Sequence, residues 1–120
     1  MMINLSETAS NAMLDALSQL MDGGSIELLT GDGKILAVMQ LSDPATMAAV
    51  DSELEFREIG QALARDRGNA MAARILAADG SEVFSCDVGD ENSDAVIMLD
   101  GLEIRRGAPV LLKSFRLAMP

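Results

Sequence analysis

The chain has 120 residues, 49% of them hydrophobic, and a formal net charge of −10. That length fits one domain, 1–120, with a real core. The acidity excludes phosphate-backbone binding by counterion release, so no nucleic-acid partner is expected. No run approaches the ~20 apolar residues that span a bilayer, so no membrane partner is expected either. The single cysteine, Cys86, excludes an intrachain disulfide.

Residues 1–7 carry neither a basic region nor a long apolar run, so no signal peptide is expected and synthesis is read as cytoplasmic. Residues 6–21 read as a helix, within an N-terminal helical segment 1–24. Ser6 is the N-cap, and Glu7 complements the positive helix start. Ala9, Met13, Ala16, Leu17, Leu20 and Met21 recur at spacings of three and four as an apolar stripe. Gly23-Gly24 ends the helix.

From residue 25 to 120 the apolar period is two. Residues 26–30 and 35–41 form a hairpin around Gly31-Asp32-Gly33-Lys34. The second arm is apolar on both faces at its start, so part of its second face is expected to be covered. Ser42-Asp43-Pro44 breaks the strand. Residues 45–53 read as a loop or a helical turn. Residues 53–63 are ambiguous: propensity allows a helix, but Gly60 sits badly inside one.

Residues 65–69 read as a turn. Residues 72–78 and 82–88 form a second hairpin, with Phe84, Cys86 and Val88 on one face. Residues 95–99, 102–105 and 110–119 complete the strands, with Leu111, Phe115, Leu117 and Met119 on one face of the last. Turn signals every 8–12 residues point to a mainly β fold. It is read as an antiparallel β-sandwich, jelly-roll-like, with one N-terminal α-helix.

The chain has no histidine, which removes the commonest general base and metal ligand, and Ser-His-Asp or Cys-His sets with it. One cysteine is too few for ordinary zinc sites. No phosphate loop is present. No enzymatic activity and no cofactor are expected. The one metal candidate is calcium at Asp90, Asn92 and Asp94, which alternate like the first half of a calcium loop. Ala95 and Gly101 stand where that loop needs Gly and a bidentate Glu, so the segment also reads as a solvated turn. Cys86, between Phe84 and Val88, reads as a buried small apolar residue.

The helix stripe either packs on its own sandwich or docks on a neighbour. Candidate interface residues are Met13, Leu17, Leu20, Met21, Leu117 and Met119, together with the apolar ends Met1-Met2-Ile3 and Leu117-Ala118-Met119-Pro120. Arg105-Arg106, an adjacent basic pair, is either a solvated loop or an anchor to an acidic neighbour.

Five segments carry a resemblance: NAMLDALSQLMDGG (11–24), SIELLTG (25–31), ILAVMQLSDPA (35–45), GNAMAARILAADGSEVFSCDVG (68–89) and IRRGAPVLLKSFRLAMP (104–120). In this order and spacing the chain resembles a family of small tailed-phage virion structural proteins with an N-terminal helix and a β-sandwich. The resemblance implies a bacteriophage virion subunit, a minor capsid or decoration protein. Its partners would be the major capsid protein or other virion subunits. It also implies a β conformation for residues 60–66. A homo-oligomer, dimer or trimer, is expected at shell symmetry axes. The alternatives are a tail or baseplate subunit, and a soluble acidic protein-binding module that inhibits a host protein.

Overall fold

A computed structural model describes residues 6–57, 59–90, 93 and 95–118. The helix α1 spans Glu7–Met21, and Ser6 Oγ accepts from the Ala9 N–H at 3.1 Å. Gly23 takes a left-handed φ of 70° just beyond it. At Gly24 an added Cβ would lie 1.9 Å from the Leu76 carbonyl oxygen. The helix-to-sheet corner therefore needs a residue without a side chain.

The strands are β1 (Ser25–Leu29), β2 (Ile35–Gln40), β3 (Glu53–Glu55), β4 (Ala62–Leu63), β5 (Gly68–Asn69) and β6 (Ala72–Leu76). They continue as β7 (Glu82–Asp90), β8 (Ile97–Leu99), β9 (Glu103–Ile104), β10 (Pro109–Val110) and β11 (Leu112–Ala118). Seven of them form one sheet in the order β2-β1-β6-β7-β8-β11-β3. Short ladders β4–β10 and β5–β9 supplement it. The fold is mainly β, sandwich-like, with one N-terminal helix, as the period-two pattern predicts.

Cross-strand register explains the core. Met39, Ile26, Ile75 and Phe84 stand in one row across four strands. Ala37, Leu28, Ala73 and Cys86 form the next row. Direct cross-strand neighbours on one face are the unit of sheet stability. The two phenylalanines flanking the sheet's far half stack further on: Phe56 lies 3.8 Å from Phe115, centroid to centroid.

The structure corrects three expectations. The sheet is mixed and not purely antiparallel, because β7 and β8 pair in parallel (Val88↔Ile97, Asp90↔Leu99). Residues 45–57 hold no helix: the loop 45–52 folds back as a hairpin on β3 and its flank, where Thr46 bridges Phe56 and the Arg57 N–H bonds the Ala45 carbonyl. The alternation of buried Leu54, exposed Glu55, half-buried Phe56 and exposed Arg57 is the period-two signal that outweighs helix propensity there. The last strand is broken, and Leu111, between β10 and β11, faces solvent away from buried Phe115.

Part of the second face of β2 is covered, as expected: Leu36 is buried and Val38 half-buried, while Gln40 is exposed. Leu36 is the extra residue of a bulge, fully buried, and its carbonyl accepts from the Arg65 N–H at 2.7 Å.

Candidate protein-docking surface

α1 carries three rows of side chains, set by about 100° of turn per residue. The first row clamps the 45–57 hairpin. Asn11 Oδ1 accepts from the Ser52 N–H at 2.9 Å, and Asp15 Oδ1 from the Ala49 N–H at 2.8 Å. Asp22 Oδ1 accepts from the Ala45 N–H at 2.8 Å. Ser18 Oγ meets Thr46 Oγ1 at 2.6 Å in a buried contact. Thr46 donates its own hydroxyl proton to the Met47 carbonyl, so Ser18 is the donor between them. Sequence reading passed over this row, because polar residues at helical spacing look like a solvated face.

The second row faces the core: Ser10, Leu14 and Met21 are buried, and Leu17 packs against them half-buried. Met21 is fully buried, which removes it from the candidate interface residues. Its side chain fills the chain's own interior under the helix-to-sheet corner. The third row holds Met13, Ala16 and Leu20. All three face solvent, Met13 at 53% and Leu20 at 59% exposure. The single stripe read from the sequence is thus two: Leu17 and Met21 turn inward, Met13 and Leu20 outward.

Of the remaining interface candidates, Leu117 is half-buried on β11 beside Leu54 of β3. Met119, Pro120 and Met1-Met2-Ile3 lie outside the described residues. Met47 and Val50 of the hairpin are exposed and were not anticipated.

A second feature gathers charge. Lys34, Arg67, Arg105 and Arg106, four of the nine Lys and Arg residues, line a groove of about 720 Å³ over Gly68 and Ile104. The β5–β9 ladder sets its floor through Gly68↔Ile104 and Asn69↔Glu103. Asp66 accepts from Arg106 Nη2 at 3.2 Å and lies 3.8 Å from Lys34 Nζ. The Arg67 N–H, then Arg106 and Lys34, hold the Asp66 carboxyl below its usual range. Arg106 is therefore anchored within the chain.

The acidic segment that suggested calcium is described in part, and there its contacts are internal to the chain. Asp87 Oδ1 accepts from the Val96 N–H at 3.2 Å, and the Asp90 carbonyl accepts from Ser93. Both contacts close the short connection between β7 and β8. Asn92 and Asp94 lie outside the described residues. Among the described residues no three His, Cys, Asp or Glu side chains gather as a metal site. Cys86 is half-buried in the Ala37–Leu28–Ala73 row, and burial, then the Asp87 charge, pushes its thiol up to about 12. Such a thiol is not a nucleophile near neutral pH. Among the described residues no helix is long and apolar enough to cross a membrane.

No family model, no curated protein and no solved structure matches this chain.

Proposed function

We propose that this chain is a non-catalytic structural subunit of a phage particle, which docks on a protein neighbour through the outward row of α1. The supporting observation is the split of the helix stripe. The fold uses Leu14, Leu17 and Met21 for its own core and leaves Met13, Ala16 and Leu20 in water. Fully burying a side chain such as Met or Leu gains about 1.5–3 kcal/mol each. A Met-containing helical face adapts well to a partner groove. The assignment to a minor capsid or decoration position draws on the resemblance of the five quoted segments. In that setting many copies multiply a small interface energy.

Quantitative mass spectrometry of purified, nuclease-treated particles tests the reading, with wild type and a Met13→Glu/Leu20→Glu variant expressed in parallel. Copies approaching those of the main shell protein, lost in the variant, are the expected result. A handful of copies moves the chain to the tail or neck. Absence of the wild type from particles overturns the structural role, leaving the soluble binding module.

A further inference from the structure

The seven-stranded sheet ends at β3 on one side and β2 on the other. The β3 edge is covered, because residues 45–50 hydrogen-bond along it through Met47 to Glu55 and Val50 to Glu53. The β2 edge is covered over only half its length.

Backbone direction along β2 follows from its two ends. The Leu41 N–H bonds the Gly24 carbonyl at 2.9 Å, so Leu41 faces toward β1. Alternation places Met39 and Ala37 on that same side and turns the N–H and C=O groups of Val38 and Gln40 outward. The outward Leu36 carbonyl, taken by the Arg65 N–H, agrees with this parity. Among the described residues, the outward backbone groups of Val38 and Gln40 have no hydrogen-bond partner. The strand reads Ile-Leu-Ala-Val-Met-Gln, with no proline, glycine or charge to guard it. Natural edge strands are normally blunted by such residues. Here the Leu36 bulge and Arg65 blunt the first half alone.

We propose that β2 pairs with β2 of a second copy of this chain, antiparallel about a two-fold axis beside Met39. In that register Val38 of each copy faces Gln40 of the other, and each pair exchanges both of its N–H···O bonds. The open window is thereby filled, and the Leu36 carbonyl keeps its bond to Arg65. The flanks select a second copy over a foreign strand. Arg65 is exposed at the start of β2 and Asp43 is exposed beyond its end. An antiparallel two-fold sets the Arg65 of each copy beside the Asp43 of the other. Such an interface is isologous and closes at the dimer. It uses a different surface from the outward row of α1 and does not depend on it.

The test is light scattering of the full chain across about a hundredfold range of concentration, with amide exchange followed at Val38 and Gln40. The expected result is a concentration-dependent dimer whose Val38 and Gln40 amides slow at least about tenfold as it forms. Gln40→Pro removes an outward donor without touching a bond to β1, so it should unfold like wild type and remain monomeric. A chain that stays monomeric throughout overturns the proposal. So does a dimer in which those two amides exchange as fast as in the monomer, and this readout holds even if the proline variant does not fold.

Discussion

Asp15, at the middle of the helix, holds the backbone N–H of Ala49, 34 residues later, at 2.8 Å. Asn11 and Asp22 hold Ser52 and Ala45 in the same way. A carboxylate accepting a backbone N–H contributes roughly 1.5–3 kcal/mol, and removing it strands the donor. Asp15→Ala should lower the unfolding free energy by that order, read as a lower urea midpoint, and speed exchange of the Ala49 amide. Asp15→Asn keeps an acceptor oxygen and should recover most of the loss. If exchange at Ala49 is unchanged in the alanine variant, the clamp does not hold the hairpin.

The hairpin turns at Asp51 and Ser52, whose φ values are 53° and 59°. Val50 and Glu53 exchange both of their backbone hydrogen bonds across it. A two-residue turn with φ positive at both positions favours Asn-Gly, and Asp-Ser pays steric strain there. Asn11 Oδ1 on the Ser52 N–H offsets part of that strain. Asp51→Asn/Ser52→Gly should therefore stabilise the chain by about 0.5–1 kcal/mol, read as a higher thermal midpoint. A lower midpoint would mean that the serine side chain contributes more than its backbone strain costs.

These two contacts also mark where the sequence stops being legible. Periodicity was enough for α1, for both of the first hairpins and for the Phe84–Cys86–Val88 face, since each is a local pattern with its own turn signal. The 45–57 hairpin was hidden because its turn uses Asp-Ser in place of a glycine, and because its backbone donors end on helix side chains far away in the chain. The parallel pairing of β7 with β8 was hidden for a related reason. So short a connection ordinarily makes an antiparallel hairpin, and here Asp87 and Ser93 fold it back. The apolar stripe of α1 was legible, but its division into an inward and an outward row depends on the 45–57 hairpin that covers its polar side. The cationic groove was not legible, since Lys34 and Arg105 meet only through the β5–β9 ladder.

The chain has three aromatic residues, and all three converge. Phe56 and Phe115 stack at 3.8 Å with planes 10° apart, and Phe84 meets Phe115 edge-on at 6.5 Å. Phe115 is at the centre and buried. Phe115→Ala should cost about 3–5 kcal/mol through lost transfer energy and the cavity left behind. Phe84→Ala, at the half-buried rim, should cost less. Urea denaturation of the two variants decides it, and equal losses would show that the cluster is not centred on Phe115.

Cys86 makes stability depend on pH at the alkaline end. Its thiol rises from an ordinary 9.0 to about 12 in the folded chain, first through burial and then through the charge of Asp87. Below pH 9 the thiol is protonated in both states and contributes no slope. Above it the unfolded chain releases the proton and the native chain retains it, so the unfolded state binds fewer protons and stability falls as pH rises. The loss runs from pH 9 toward 12 and is complete in slope once the folded thiol ionises. Cys86→Ala should be less stable at pH 7 from lost packing, yet flatter with pH across this window. In the wild type, alkylation of Cys86 at pH 8 should be much slower than that of a free thiol, because the native side chain is neither ionised nor fully accessible. Rapid labelling of folded protein, or parallel pH profiles for wild type and Cys86→Ala, would place the thiol in water and remove it from the Ala37–Leu28–Ala73 row.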